Sequence, residues 1–84
     1  MDDNMKKTIL IADDTLASRE LLKKIFRDNY NVIEAVNGKL ALDVLHSVPG
    51  ISLLILDMIM PEMDGFEVLN AMQNDDMLKS IPVI

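Results

Sequence analysis

The sequence contains no cysteine, which excludes disulfide bonds and thiolate metal sites. It has no apolar run close to the roughly 18 residues that a membrane-spanning helix needs. Cations are few: 8 lysines and arginines against 14 acidic residues give a net charge of −6. This charge argues against nucleic acid as a direct partner of the segment, because binding to phosphates requires cations. Residues 1–4 are acidic and polar, unlike a signal peptide, so we expect a cytoplasmic protein.

The length and composition are those of a small globular unit. The chain has 84 residues, of which 50% are hydrophobic and 26% are charged. A chain of this size forms one small domain or part of one, with a thin core and little stability to spare.

Short apolar runs alternate with amphipathic stretches along the chain. The runs predict strands at residues 8–12, 30–35 and 51–56, and a fourth strand that begins at 81–84. The second run has polar interruptions, which are typical of a sheet edge. The third is the most apolar, and we expect it at the sheet centre.

Apolar residues at helical spacing predict three helices between these strands. We expect Thr15 to cap the first helix, Asn37-Gly38 to turn the chain into the second, and the third to run from Gly65 to about Asn74. The apolar positions are Ala17, Leu21, Leu22, Ile25 and Phe26 in the first helix, Leu40, Ala41, Leu42, Val44 and Leu45 in the second, and Phe66, Val68, Leu69 and Met72 in the third.

The alternation of strands and helices predicts an α/β fold with a parallel sheet. Right-handed crossovers favour the strand order 2-1-3-4, with the first helix on one face and the second and third helices on the other. Ligands bind such sheets beyond the carboxyl ends of the strands, where the winding direction reverses. Here that point lies between the first and third strands.

Carboxylates follow both of these strands. Asp13 and Asp14 come after the first strand, and Asp57 ends the third. Carboxylates gathered there would repel one another, and Mg²⁺ would relieve the repulsion because it prefers oxygen ligands. A metal at this point could also polarise an incoming phosphoryl group, which Asp57 could attack to give an acyl phosphate. The simpler alternative is that Asp13 and Asp14 only cap a helix and that Asp57 is a turn residue.

Several segments have the residue pattern of one known family. They are Ile9–Asp14, Arg19 and Leu22, Asn37–Gly38, Ala41, Leu42 and Leu45, and, most specifically, Leu54–Leu69. These segments resemble the receiver domains of bacterial two-component response regulators. The resemblance covers essentially the whole chain and implies a flavodoxin-like receiver fold.

The resemblance also implies a role for individual residues. Asp57 is similar to the phosphoacceptor, which is loaded from a phosphohistidine of a sensor histidine kinase or a phosphotransfer protein. Asp14 resembles the direct Mg²⁺ ligand, and Asp13 resembles the neighbour that acts through water. The backbone carbonyl of Ile59 matches the main-chain metal ligand. Such a domain is not an enzyme in the usual sense, since it catalyses only its own phosphorylation and dephosphorylation.

Further residues resemble those that shape the phosphorylation loop. Pro61 and Gly65 match the family positions with this role. Asp64 could cap the third helix. His46, the only histidine, is expected at the surface of the second helix. Lys23-Lys24 fits a solvated face, with kinase docking near the first helix as the alternative.

The chain departs from the family pattern at its end. The family has a threonine or serine a few residues beyond the position of Ile84 and a lysine in a later strand, and both contact the phosphoryl group. The last two helices and the fifth strand would also follow. We therefore expect a receiver domain truncated at the start of its fourth strand, with the acidic pocket and the nucleophile but poor signalling.

Two other functions compete with this interpretation. A haloacid-dehalogenase-type phosphohydrolase requires a second aspartate two residues after the nucleophile, where this chain has Ile59. A truncated receiver serving as a non-phosphorylated interaction or structural module remains the alternative. Strands 3 and 4 would lie bare on the side of the first helix, with strand 4 as an unpaired edge, so a homodimer or a segment-exchanged assembly is expected.

Overall fold

The structure is a computed structural model that describes residues 6–84, so the acidic N-terminal residues 1–4 lie outside the described part. Within residues 6–84, three strands alternate with three helices. Their bounds are β1 Lys7–Ala12, α1 Leu16–Phe26, β2 Tyr30–Ala35, α2 Gly38–Ser47, β3 Ile51–Leu56 and α3 Gly65–Gln73. The predicted alternation is confirmed, with boundaries shifted by a residue or two.

The strands form one parallel sheet in the order β2-β1-β3. Leu10 of β1 lies opposite Ile33 of β2 and Leu54 of β3. This part of the predicted order 2-1-3-4, and the flavodoxin-like arrangement that it implies, is confirmed. β1 is the middle strand of these three, and β3, predicted to be central, has β1 on one side and residues 82–84 on the other.

The predicted fourth strand is reduced to a single bridge between Leu54 and Val83. The segment lies beside β3, on the side away from β1, as predicted. The amide of Leu54 donates to the carbonyl of Pro82 at 2.9 Å, and the amide of Ile84 donates to the carbonyl of Leu54 at 2.9 Å. Pro82 has no amide hydrogen to extend this ladder.

The main core fills the face of the sheet that carries α2 and α3. Its buried residues include Leu10 and Ala12 of β1, Leu54 and Leu56 of β3, Ala41 and Leu45 of α2, and Val68 and Met72 of α3. Ile9 and Ile11 alternate with these β1 residues and are buried on the opposite face, where α1 lies. The predicted assignment of the helices to the two faces is therefore confirmed.

Two helices begin at side-chain caps and one does not. Asn37 accepts the amide of Leu40 at 2.8 Å at the start of α2. Asp64 and Glu67 form a reciprocal capping box at α3, so the predicted cap at Asp64 is present. Thr15 occupies the N-cap position of α1, as predicted, but its side chain makes no capping bond.

Some residues assigned to buried helix faces are exposed. No residue of α1 is buried, and Leu21 and Ile25 are 60% and 58% exposed. Leu40 of α2 and Phe66 of α3 are 44% and 69% exposed. Spacing placed these side chains on one face of each helix, but burial also depends on whether a neighbouring element covers that face.

The exposed face of α1 predicts self-association. Leu21 and Ile25 form an apolar strip, and exposed apolar surface of this kind favours contact with another protein surface. We expect the mass measured by light scattering to rise above the monomer value with concentration. Ile25→Glu should reduce this rise, whereas Lys24→Glu, a neighbouring exposed position, should not. A monomer mass at every concentration would contradict the prediction.

Among residues 6–84, no helix is both long and apolar enough to cross a bilayer.

Candidate functional site

Three carboxylates converge at the carboxyl edge of the sheet. Asp13, Asp14 and Asp57 each place a carboxylate oxygen within 4.8 Å of the other two. The parallel pairing of β1 with β3 produces this convergence, because both strands end at the same edge. Asp13 and Asp57 are half-buried and Asp14 is exposed. The structure thus brings together the three side chains that the sequence predicted.

Asp57 is held at the end of β3 with part of its carboxylate free. Its amide donates to the carbonyl of Ala12 at 2.9 Å, which ties together the ends of β1 and β3. Its Oδ1 accepts the amide of Ile59 at 3.2 Å. Within the described residues, no other protein group is hydrogen-bonded to this carboxylate. Oδ2 therefore has no hydrogen-bond partner among the described residues.

Asp13 has a local structural role as well as its place in the cluster. Its Oδ1 accepts the amide of Thr15 at 2.8 Å, so it stabilises the turn into α1. Its own amide donates to the carbonyl of Ala35 at 3.0 Å, at the end of β2. The simpler alternative is thus partly right for Asp13, and also for Asp57, whose carboxylate accepts an amide two residues ahead in the same way. It does not account for Asp14, whose side chain has no hydrogen bond to the described residues.

The loop after Asp57 is fixed at several points. The amide of Gly65 donates to the carbonyl of Met58 at 3.0 Å, and the amide of Met63 donates to that of Pro61 at 2.7 Å. Glu62, between Pro61 and Met63, has a φ of 71°, in the left-handed region that costs a residue with a Cβ about 1 kcal/mol. Met60 is 8% exposed and belongs to the core. The loop is therefore anchored to the core beneath the site.

Gly65 faces the backbone of the site. A Cβ at this position would lie 2.6 Å from the carbonyl oxygen of Asp57 and 2.7 Å from the Cα of Met58. Only glycine permits this approach, which is the physical basis of its predicted role in the loop.

Ile59 is placed beside Asp57, and its side chain is 83% exposed. Its amide is occupied by the Asp57 carboxylate. The assignment of its carbonyl as a metal ligand stays a prediction.

The sequence did not predict an ionic network that links β2 and α1 to the site. Arg19 donates from Nε to Glu34 at 3.1 Å and from Nη1 to the carbonyl of Asp13 at 2.9 Å. Lys23 donates to the other Glu34 oxygen at 3.1 Å. These contacts lower the pKa of Glu34, chiefly through the bond from Lys23. Lys23 also contacts Glu20 at 3.4 Å, and its bonds to Glu34 and Glu20 raise its own pKa. Glu34, the one charged residue of β2, was the available sequence signal.

The network predicts a loss of stability in acid. Because folding lowers the pKa of Glu34 below its usual 4.5, the carboxylate stabilises the fold above that pH, and the contribution disappears as pH falls through the lowered value. We expect the free energy of unfolding in urea to fall less between pH 7 and pH 3 in Glu34→Gln than in the wild type. Asp28→Asn, an exposed control, should keep the wild-type dependence; an unchanged slope in Glu34→Gln would contradict the prediction.

His46 lies at the surface, as predicted, and is half-exposed. Its Nε2 is 2.7 Å from Oδ2 of Asp75, which joins α2 to the turn after α3. The contact lowers the pKa of Asp75, with a smaller effect from the amide of Met77. His46 is not a member of the acidic cluster.

The ligand atoms of the cluster suit Mg²⁺. They are carboxylate oxygens, and Mg²⁺ in proteins prefers a few such ligands together with water. Oxygens bound to one Mg²⁺ lie about 2.1 Å from the ion and so at most about 4.2 Å apart. The carboxylate oxygens of the cluster lie within 4.8 Å of one another, so they need to move only slightly closer to reach that spacing.

The sequence matches a family profile over most of its length. The profile is described as "Response regulator receiver domain" and matches residues 9–84. A probable cyclic di-GMP phosphodiesterase of Vibrio cholerae serotype O1 is 38% identical over 84 residues, which are the whole of this chain and 19% of that protein. The chain therefore spans a small part of this relative.

Solved structures have the same fold. The N-terminal domain of a response regulator receiver protein from Methanoculleus marisnigri JR1 is 34% identical, with a TM-score of 0.83 over 90% of this chain and 62% of that one. The phosphorylated cyanobacterial phytochrome response regulator RcpA is 28% identical, with a TM-score of 0.87 over 93% of this chain and 62% of that one.

Proposed function

The chain belongs to the response regulator receiver domains, and on this premise we propose that Asp57 accepts a phosphoryl group in a Mg²⁺-dependent reaction. The observation that carries the proposal is the state of the Asp57 carboxylate. One of its oxygens is anchored by the Ile59 amide, the other is free, and two further carboxylates lie within 4.8 Å.

The donor that we propose is a phosphohistidine of a sensor histidine kinase or a phosphotransfer protein. Oδ2 of Asp57 forms a bond to phosphorus, the phosphorus–nitrogen bond breaks, and the freed imidazole nitrogen keeps the electron pair. The product is an acyl phosphate on Asp57. The domain modifies itself and does not turn over a separate substrate, and we propose that it does so in the cytoplasm. The phosphorylated state of the RcpA structure supports phosphoryl transfer as the chemistry of this fold.

The ligands proposed for Mg²⁺ are Asp13, Asp14, Asp57 and the carbonyl of Ile59, with Asp13 acting through water. When bound, the metal neutralises charge on the carboxylates and on the phosphoryl oxygens. The protein's own contribution is to fix the carboxylates at two adjoining strand ends, so that little reorganisation is needed when the donor arrives. The exposed Asp14 and the free oxygen of Asp57 leave an open path for the incoming group.

Phosphoryl uptake from a small donor tests the proposal. We expect the chain to gain the mass of one phosphoryl group when incubated with acetyl phosphate and Mg²⁺, and not when a chelator replaces the metal. The product should be cleaved by hydroxylamine, as an acyl phosphate is. Uptake that is independent of the metal, or a product stable to hydroxylamine, would contradict it.

A further inference from the structure

We propose that Arg19 is a positioning residue for the acidic cluster and that Glu34 holds Arg19 in place. The inference rests on the proposed function, since it concerns the geometry of the proposed Mg²⁺ ligands. Arg19 touches none of the three carboxylates; it acts through the peptide that joins Asp13 to Asp14.

Two hydrogen bonds hold the guanidinium of Arg19 in place. Nη1 donates to the carbonyl of Asp13 at 2.9 Å, and Nε donates to Oε1 of Glu34 at 3.1 Å. The side chain is only 12% exposed. Glu34 lies on β2 opposite Ile11 of β1 and also accepts a bond from Lys23, so the partner that orients the guanidinium is itself held. The planar fork of the guanidinium suits two partners in fixed directions.

The contact with Asp13 completes the restraint of the turn after β1. The Asp13 amide is bonded to Ala35, its side chain to the Thr15 amide, and its carbonyl to Arg19. Asp14 has no hydrogen bond of its own to the described residues. The preceding peptide, whose carbonyl oxygen Arg19 binds, therefore restrains the backbone position from which the Asp14 carboxylate projects.

Charge and geometry make opposite predictions for this residue. A cation beside a cluster of carboxylates should weaken Mg²⁺ binding by repulsion, so charge alone predicts that removal of Arg19 tightens binding. Positioning predicts that binding weakens. Arg19→Lys isolates the geometric effect, because it keeps the charge but replaces the fork by a single ammonium that cannot reproduce both bonds.

The test is a Mg²⁺ titration of the chain, followed through the amide NMR signals of residues 13–14 and 57–59. We expect Arg19→Lys to raise the apparent dissociation constant for Mg²⁺ about tenfold, the size of effect found when groups that orient metal ligands are removed. Arg27→Lys makes the same chemical change at an exposed position at the end of α1 and should stay within about twofold of the wild type.

Glu34→Gln provides a second route if Arg19→Lys fails to fold. It keeps the shape of the side chain but weakens its hold on Arg19, and we expect weaker Mg²⁺ binding. Glu20→Gln, which removes a carboxylate bonded to Lys23 and leaves the Arg19 contacts intact, controls for the lost charge and should weaken binding less. Combined with Arg19→Lys in one chain, Glu34→Gln should add little. Urea unfolding of each variant separates stability from affinity. Variants that lose stability but bind Mg²⁺ like the wild type would overturn the inference and leave the proposed function intact. A wild-type chain that binds no Mg²⁺ would overturn both.

Discussion

Asp57→Asn is expected to reduce phosphoryl uptake from acetyl phosphate to background. The neutral amide oxygen is a far weaker nucleophile than a carboxylate, while the side chain keeps its shape and can still accept the amide of Ile59. The loss should therefore reflect the reacting atom and leave the fold unchanged. Intact-mass measurement after incubation with the donor and Mg²⁺ gives the result directly.

Asp43→Asn is the matched control for this variant. Asp43 is an exposed carboxylate on α2 and is not part of the acidic cluster. Its variant should be phosphorylated like the wild type. Uptake retained by Asp57→Asn would mean that the phosphoryl group goes elsewhere. Uptake lost equally in Asp43→Asn would mean that the loss is not specific to Asp57.

Gly65→Ala is expected to lower the free energy of unfolding by about 3 kcal/mol, the upper part of the range for an added methyl group in a packed region. The new Cβ would meet the carbonyl oxygen of Asp57 at 2.6 Å, and that backbone atom can move only if the end of β3 moves with it. Total stability of a chain this small is on the order of 5 kcal/mol, so most of it would be lost. Urea unfolding monitored by circular dichroism measures the change.

Gly50→Ala separates crowding from backbone conformation. Gly50 has a φ of 78° with no atom within 4 Å of the added Cβ, so the expected cost is only the left-handed conformation, about 1 kcal/mol. If Gly65→Ala cost no more than Gly50→Ala, the close approach to Asp57 would not constrain the site.

The fold was predictable from local patterns to a large extent. The apolar run at 51–56 predicted β3, and the residues Asp64 and Glu67 form the capping box that begins α3. The pattern could not predict which helix faces a neighbouring element covers. Leu21 and Ile25 have the spacing of a buried face, yet both are mostly exposed because burial depends on a neighbouring element. The lack of a capping bond from the Thr15 side chain was also not predictable. The side chain of Asp13 instead accepts the amide of Thr15 before α1.

The candidate site shows the same division. Aspartates at the ends of two adjacent parallel strands had to lie close together, and Asp13, Asp14 and Asp57 do. The contact of Arg19 with Glu34 joins residues 15 positions apart and depends on where α1 crosses the sheet. His46 and Asp75, 29 positions apart, meet through the packing of α2 against α3. Helical and strand periodicity carry no information on pairs of this kind.

Occupation of the site should also stabilise the fold. A ligand that binds only the folded state adds RT ln(1 + [L]/Kd) to the free energy of unfolding, so Mg²⁺ should raise the urea midpoint as its concentration passes the dissociation constant. The three carboxylates repel one another without a cation, which adds to the benefit of neutralisation.

The central claim is that Asp57, beside Asp13 and Asp14, is the phosphoryl-accepting centre. Beryllofluoride, which mimics a phosphoryl group on a carboxylate, tests it most directly when added with Mg²⁺ to the isotopically labelled chain. We predict that the amide signals of residues 13–14 and 57–59 shift together, and that Asp57→Asn abolishes the shift caused by beryllofluoride. Unchanged signals at these residues in the wild type, or the same shift in Asp57→Asn, would contradict the claim.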